Sequence, residues 1–498
     1  MQMLQELLHL EGIGITECLI FLFVFLLISD YFWSKPPNNF PPGPPSLPFI
    51  GHLFHFDTKE PHTTLVNIGK KYGDVFSLRI GRRRLVVLSG YKIMKEAFVQ
   101  NGDIYIDRPS LPLLSDLTNH LGILASNGHQ WREQRRFALS TLKYFGVGKK
   151  TLENAITEES RHLNENVTEK NGNPFDPQYL LHNAISNIIC SLVFGHRFEY
   201  TDGRFQELLR LLEELLRLQG SASGRAYNVF PKLMKLLPGG HKTLFSNWAK
   251  VKAFVRVEIE QHKKHRNLSE PRDYIDCYLE EMEKCKDESA GFNEENLCCC
   301  TMDLFGAGTE TTATTLRWAL LYMAKYPHIQ QKVQEEIDQV IGPSRLPSMD
   351  DRINMPYTYA VIHEVQRSGN VIPVSPPRMA SKDTTLAGYS IPKGTVMLPN
   401  FTSVLNDENE YMTPGFFNPQ HFLDDNGKFV KNETFIPFSI GKRACPGENL
   451  ARMEIFLFFT SLLQAFTFHC PNGQQLTLET KPGITLGPKA YKICALPR

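Results

Sequence analysis

The sequence carries almost no net charge. Its 54 Lys and Arg residues are balanced by 53 Asp and Glu residues, giving a formal net charge of +1 at pH 7. A chain without an excess of positive charge has no overall attraction to polyanions, so we predict no nucleic-acid partner. Any basic surface must be local.

Cysteines are few and show no paired metal-binding spacing. Ten cysteines in 498 residues are too sparse for a disulfide scaffold. The run Cys298–Cys300 is unusual, but consecutive residues on a helix point about 100° apart and cannot chelate one ion. We interpret the three as small apolar helix residues in a reducing compartment.

Lys and Arg are absent before Lys35, where the chain is mostly apolar. Residues 13–33 approach the roughly 20 residues that span a bilayer. A cleaved signal peptide is the alternative, but no basic segment precedes the run and bulky aromatic residues occupy the place of a cleavage site. We predict a transmembrane signal anchor over residues 1–35, with the following cations and body in the cytosol.

Low-complexity linkers and repeats are absent after residue 50. Residues 36–50 are rich in proline, which is stiff and extended, so we predict a hinge there; a polyproline ligand for a partner is the competing interpretation. Residues 51–498 then form one domain. Helical periodicity dominates it, with its longest helix over Asn293–Tyr326. Strands are predicted over Val75–Ile80, Arg84–Leu88, Thr385–Ser390 and Val396–Phe401.

Cys445 stands alone in the run Pro-Phe-Ser-Ile-Gly-Lys-Arg-Ala-Cys-Pro-Gly at 437–447. Basic residues precede it and a helical pattern follows, which predicts a lowered thiol pKa. No second cysteine lies within four residues, so a local zinc site is excluded. What remains is a single ligand, such as the proximal thiolate of a haem.

This run resembles the Phe-x-x-Gly-x-Arg-x-Cys-x-Gly signature of the cytochrome P-450 superfamily, particularly the vertebrate microsomal family two, subfamily J. The resemblance extends from about Pro41 to the C-terminus. It implies a mainly α-helical fold with small β-sheets and a single haem-binding domain. It also implies haem (iron protoporphyrin IX) with Cys445 as axial ligand, O2 and NADPH-derived electrons as co-substrates, NADPH–cytochrome P-450 reductase as partner, and the endoplasmic reticulum membrane.

The longest predicted helix contains Phe-Gly-Ala-Gly-Thr-Glu-Thr-Thr at 305–312. Glycines and β-branched residues are poor helix formers; we expect the glycines to admit a flat ligand and the threonines to open a kink. By resemblance, Thr311 binds dioxygen and a water, and Glu310 supplies protons. Without Cys445, a Thr-rich buried helix would be the simpler interpretation.

Two more strings match the family. Trp131 and Arg135 lie four residues apart on one helical face and are hydrogen-bond donors only. The resemblance makes them haem-propionate ligands, together with Arg108, Arg378 and Arg443; each arginine alone could be an exposed cation. Glu364 and Arg367 form the family's Glu-x-x-Arg, which with His421 would lock the Cys445 loop. As a lone motif it could be a surface ion pair.

Seven cations fall in segments that the resemblance assigns to the thiolate side, where a basic patch would attract an acidic reductase. Scattered solvated charges are the alternative interpretation. The seven are Arg132, Arg136, Lys143, Lys428, Lys431, Lys442 and Arg443.

We therefore predict a haem-thiolate monooxygenase that hydroxylates or epoxidises lipophilic substrates, such as polyunsaturated fatty acids like arachidonate, or xenobiotics. Two alternatives stay open: a haem-thiolate peroxide isomerase that needs no electrons, and a non-catalytic haem sensor. By similarity, the substrate pocket is lined by Leu111, Leu113, Leu114, Ile123, Phe305, Ala307, Val374 and Ile484.

Overall fold

Helices dominate the protein, which a computed structural model describes over residues 14–53, 60–265, 270–481 and 483–498. The α-helices are α1 (Ile15–Trp33), α2 (Pro61–Tyr72), α3 (Tyr91–Lys95), α4 (Pro112–Thr118), α5 (Gly128–Tyr144), α6 (Lys150–Thr168), α7 (Gln178–Val193), α8 (Gly203–Gln219), α9 (Ala222–Val229), α10 (Pro231–Leu236), α11 (Gly240–His265), α12 (Tyr274–Lys284), α13 (Glu294–Lys325), α14 (Pro327–Val340), α15 (Pro356–Gly369), α16 (Thr402–Leu405) and α17 (Glu448–Ala465).

Short strands form small sheets beside the helices. The strands are β1 (Val75–Ile80), β2 (Arg83–Leu88), β3 (Arg378–Met379), β4 (Thr384–Leu386), β5 (Tyr389–Ile391), β6 (Val396–Pro399), β7 (Phe466–His469), β8 (Thr480–Lys481), β9 (Gly487–Pro488) and β10 (Cys494–Pro497). The largest sheet has the order β1-β2-β6-β3, and β2 runs parallel to β6. The mainly α-helical class is confirmed.

One predicted strand is wrong. The run Thr385–Ser390 is not continuous, because β4 and β5 form an antiparallel hairpin whose turn is Ala387-Gly388. Both turn residues have a positive φ, of 49° and 82°. That left-handed backbone suits a tight turn and suits glycine at its second position.

The central helix α13 has close to the predicted bounds. The Asn293 side chain caps it by accepting from the Asn296 amide, and Glu294 and Glu295 occupy its first turn. These features match the positive end of the helix dipole, and Pro327 follows the last turn. Most of α13 is buried and packs against α7, α11 and α17, so it crosses the domain and can present residues to an internal site.

Tight turns shape the loop that carries Cys445. Gly441 has a φ of +76°, and a Cβ there would lie 1.9 Å from the carbonyl oxygen of Phe98. Any other residue would collide with that backbone. The Cys445 amide donates to the carbonyl of Phe438 at 2.9 Å, which closes the turn and fixes the cysteine at the N-terminal side of α17.

Helix α1 carries the apolar N-terminal run with its side chains largely exposed. Within the described residues, Thr16–Trp33 is the one helical stretch long and apolar enough to cross a membrane. Residues 1–13 of the predicted anchor lie outside the described ranges. Asp30, near the end of α1, pairs with Arg79 of β1, and both side chains are buried. Residues 36–50 contain no helix, and their role as a hinge stays a prediction.

Candidate active site

The surface exposure and the pKa of Cys445 together indicate that its sulfur lies in a recess within the protein. The side chain is exposed, yet burial raises the pKa of its thiol. The two facts agree if the sulfur meets an internal space rather than the outer surface. An exposed thiol in such a recess has room for a ligand on its open side.

The prediction of a lowered Cys445 pKa is wrong for the chain alone. Burial raises the pKa, and the Glu448 carboxylate adds to the effect, whereas the Gly447 amide and Arg135 oppose it. Desolvation therefore outweighs the helix terminus and the nearby cation. The thiolate needs a further positive partner to be stable here.

Buried donors converge near this recess without acceptors. Trp131 Nε1, Arg108 Nε and Arg378 Nε are buried and have no hydrogen-bond partner among the described residues. The remaining Arg108 and Arg378 contacts are to neutral groups: Arg108 donates to the carbonyls of Pro376 and Pro377, and Arg378 to Ser439 and the Ile440 carbonyl. Arg135 donates to the Ala444 carbonyl at 2.5 Å.

The positive charges of this cluster lower one another's pKa values. Burial and the charge of Arg135 lower the pKa of Arg108 to about 10, and burial, Arg108 and Arg135 lower the pKa of Arg378 to about 9. Neither they nor Arg135 form an ion pair within the described residues. Buried charges are costly unless paired, so the cluster requires an anion. Two carboxylates, as on a haem, fit these donors.

Arg443 makes more hydrogen bonds than the neighbouring arginines. Its nitrogens donate to the carbonyls of Ile106, Ile123 and Ser126 and to the Asn127 side chain. Its guanidinium stacks 3.8 Å from the Trp131 ring centroid. Burial and the neighbouring arginines lower its pKa to about 8. Its role as a haem-propionate ligand stays a prediction. The prediction that Arg443 belongs to an exposed basic patch is wrong, because its side chain is buried.

The other six cations of the predicted patch are exposed. Two are already paired: Arg136 with Glu133, and Lys442 with Asp103. These pairs are solvated and weak. The surface can therefore still offer positive charge to a partner.

One face of α13 opens toward the interior space. Ala307 is exposed and Thr311, one turn later, is half-buried, whereas residues 296–302 and 312–324 of α13 are buried. The Thr311 hydroxyl donates to the Ala307 carbonyl at 2.8 Å, and α13 continues without a break. The expectation that both glycines admit a flat ligand is wrong for Gly308: a Cβ there would lie 2.6 Å from Ile189 of α7, so Gly308 serves helix packing.

Glu310 points away from Thr311. Its carboxylate accepts from His182 at 3.1 Å, Thr485 at 3.0 Å and Thr314 at 3.2 Å. Burial alone would raise the pKa of Glu310, but the hydrogen bond and charge of His182, with the threonines, lower it. Adjacent helix residues point about 100° apart, which explains why the two side chains face different surroundings.

The three residues of the predicted lock are in contact. Arg367 Nε and Nη2 each donate to a Glu364 oxygen at 2.7 Å, and both side chains are fully buried. His421 Nδ1 lies 3.1 Å from Glu364. Arg367 also donates to the carbonyls of Leu405, Pro414 and Phe416. The pair thereby ties α15 to the segment that precedes the Cys445 loop.

The predicted pocket residues differ in exposure. Leu113, Ile123 and Phe305 are buried, and Ala307 is exposed toward the interior. Leu111, Leu114 and Val374 are half-buried. Ile484 is 42% exposed and lines a small cavity beside Glu310. Their contact with substrate stays a prediction.

Two site residues were missed by the sequence analysis. Asn127 accepts from the Arg108 amide and from Arg443, and Asp303 of α13 accepts from the amides of Ile123 and Leu124. Neither stands in a recognisable motif. The position of Asn127 just before a helical pattern was the one available signal.

Comparison with known proteins is consistent with this geometry. The sequence model of the family described as Cytochrome P450 matches residues 41–495. Cytochrome P450 2J2 from Homo sapiens is 53% identical over 475 residues, covering 95% of this chain and 94% of that relative. Cytochrome P450 2J3 from Rattus norvegicus is 51% identical over the same length and coverage. Cytochrome P450 2C23 from Rattus norvegicus is 43% identical over 495 residues, 98% of this chain and 100% of that relative.

Proposed function

Because this chain belongs to the cytochrome P450 family and is an NADPH-dependent haem-thiolate monooxygenase, we propose that it hydroxylates or epoxidises lipophilic substrates at the endoplasmic reticulum membrane. The observation that carries the proposal is the convergence of Cys445 with a cluster of buried and half-buried arginines that has no ion-pair partner among the described residues. Polyunsaturated fatty acids such as arachidonate, and xenobiotics, are the proposed substrate classes.

The reaction consumes one O2, one NADPH and one proton for each substrate oxidised, and it releases water and NADP⁺. Bound haem supplies the site at which O2 is reduced and one oxygen atom is transferred. Cys445 would bind its iron, and Arg108, Trp131, Arg135 and Arg378 would hold its carboxylates. Thr311 and Glu310 are proposed to move protons to the site of O2 reduction.

The substrate class is argued from the character of the proposed walls. Leu113, Ile123 and Phe305 are apolar and buried, and Ala307 leaves room beside them on α13. Apolar walls bind apolar ligands by removing surface from water. They do not select a carbon position, so regiochemistry has to be measured.

The membrane assignment rests on exposed apolar surface. Helix α1 is long and apolar enough to span a bilayer, and cations follow it, which favours a cytosolic body. Leu233 and Leu236 of α10 are 54% and 81% exposed, beside Lys232 and Lys235. We propose that this face also touches lipid, and that NADPH–cytochrome P-450 reductase delivers the electrons.

The test begins with the purified full chain in lipid. Carbon monoxide added to the ferrous protein should move the Soret band to the far-red position typical of thiolate ligation. Reductase, NADPH and a mixed panel of fatty acids and drugs should then give oxygenated products by mass spectrometry. Product from hydroperoxides alone would indicate the isomerase, and haem binding without any product would indicate a sensor.

A further inference from the structure

The imidazole of His182 in α7 is the ionisable side chain in contact with Glu310. Its Nδ1 lies 2.8 Å from the carbonyl oxygen of Gln178, and its Nε2 lies 3.1 Å from Glu310 Oε2. Both neighbours are acceptors only. A neutral imidazole has one N–H, whereas an imidazolium has two. The geometry is therefore satisfied in full when His182 carries a proton on each nitrogen.

A small cavity opens beside this pair. It holds about 40 Å³ and is lined on the inside by Glu310, His182 and Thr485 and toward the surface by Arg217 and Lys481. Because a single water needs roughly 10–15 Å³ of such volume, there is room for about three. Both rim cations are exposed, so the cavity reaches from bulk solvent to the far side of α13.

One polar group that lines the cavity needs a hydrogen-bond partner such as water. Arg317, about two helical turns beyond Glu310, is buried and lines the cavity. Its Nε has no hydrogen-bond partner in the part of the chain that the structure describes. A water in the cavity would satisfy it. Glu213 also faces this space and pairs with Lys481 at 3.2 Å, which completes the charged groups around His182.

We propose that His182 is a positioning residue that holds Glu310 at the inner end of a hydrated cavity, through which protons enter from the α7 side of the central helix. The inference rests on the proposed function and deepens it. For each transfer, the cavity waters relay a proton from bulk solvent to Glu310, and its carboxylate, which otherwise faces His182, turns to pass that proton toward Thr311. Two protons travel inward per turnover, matching the two electrons from NADPH.

The variants separate hydrogen bonding from charge. H182Q keeps a donor without the charge, H182F removes both, and H182K restores a cationic donor. The matched control is H262Q, because His262 also lies between the carbonyl of the residue four positions earlier and a carboxylate: Glu258 at 2.7 Å and Asp273 at 2.8 Å. T485V removes a different Glu310 contact.

We expect product formation to fall only in reactions that need protons. NADPH-supported product should fall by about tenfold in H182F and less in H182Q, with more peroxide released and a changed solvent isotope effect. H182K should recover part of the loss. Product formed with iodosobenzene, an oxygen donor that needs neither electrons nor protons, should stay unchanged, as should every reaction of H262Q.

A second readout needs no turnover. In a thermal-unfolding cycle of H182Q, E310Q and the double variant, the two single shifts in Tm should not add if the pair is coupled. Additive shifts, or an H182F enzyme with wild-type coupling and isotope effect, would overturn the inference. A wild-type chain that gives no thiolate spectrum and no product would instead overturn the proposed function.

Discussion

At the scale of single residues, buried hydrogen-bond donors that have no partner among the described residues indicate what the site binds. Trp131 Nε1 is buried with no partner in the described residues, while its ring stacks under Arg443. We expect W131F to keep the stacking and lose the donor. A hydrogen bond to a charged group contributes about 1.5–3 kcal/mol, so haem should leave about tenfold faster or more.

Haem transfer to excess apomyoglobin measures this rate, and the chain supplies its own control. Trp248 Nε1 is also buried and unpartnered in the described residues, but it lies in α11. W248F should leave the haem transfer rate unchanged. Equal rates for W131F and the wild type would contradict the role of the indole.

The buried ion pair between Glu364 and Arg367 gives a second prediction for a single residue. Glu364 and Arg367 are both fully buried, so E364Q leaves a guanidinium without its counter-charge. Removal of one partner of a buried pair costs about 3–5 kcal/mol. We expect a large fall in the thermal-unfolding midpoint and poor retention of haem.

The exposed pair Glu158–Arg161 provides the comparison. Both of its side chains are about half exposed, and such pairs contribute about 0.3–0.5 kcal/mol. E158Q should therefore unfold at nearly the wild-type temperature. Similar midpoints for E364Q and E158Q would show that the buried pair does not stabilise the fold.

What the sequence could predict at this scale depended on distance along the chain. Cys445, the Trp131–Arg135 pair and the Glu364–Arg367 pair each stand within one local string, where helical or loop spacing fixes the geometry. Glu310 and His182 are 128 residues apart. Their contact depends on how α7 packs on α13, which spacing within a string cannot reveal. The same reason hid Asn127 and Asp303.

At the scale of elements, α13 and the loop before α5 are joined by Asp303. Its carboxylate accepts from the amides of Ile123 and Leu124 at 2.7 and 2.9 Å. Burial raises the pKa of Asp303 to about 6, although both amides act in the opposite direction. The folded protein therefore binds a proton more tightly at Asp303 than the unfolded chain does.

The sign of the pH effect follows from that difference. Where the folded state holds more protons, stability falls as pH rises. For Asp303 this fall lies between its ordinary pKa of 3.8 and about 6. D303N, which keeps an acceptor oxygen, should flatten the pH dependence of Tm in that window. An unchanged slope in D303N would assign the dependence to other groups.

Element types were predictable where periodicity was long. Helix α13 began and ended within a residue of the predicted bounds, because a cap, acidic residues and a proline mark its ends. The hairpin β4–β5 was missed because its two strands are three residues each. Strands that short have no alternation to detect, and the Ala387-Gly388 turn lacks the Asn-Gly signal typical of such turns.

At the scale of the whole molecule, the anchor helix is tied to the body by Asp30 and Arg79. The Asp30 carboxylate accepts from Arg79 through both terminal nitrogens and from the Phe49 amide at 3.2 Å. We expect D30N to lower the Tm in lipid nanodiscs by leaving Arg79 buried and unpaired. D287N, in the exposed pair with His129, should leave the Tm unchanged; equal shifts would contradict the link.

The exposed cations give the last whole-molecule prediction. Arg132, Lys143, Lys428 and Lys431 are exposed on a chain whose net charge is only +1, so a local patch is what could attract an acidic reductase. The double variant K428E/K431E should raise the reductase concentration needed for half-maximal turnover. This increase should become smaller as salt is added, because charges are screened beyond about 8–10 Å at moderate salt. Turnover at saturating reductase should be unchanged.

Lys264 in α11 is exposed and lies outside this set, so K264E changes the net charge without changing the patch. If electron delivery depends on the patch, K264E should behave as the wild type at every salt concentration. If it depends on net charge alone, each reversal should act in proportion to the charge removed, so K264E should show about half the effect of the double variant. Titration of the reductase against each variant at low and high salt distinguishes the two. A common salt dependence in all three proteins would rule out the patch as the docking surface.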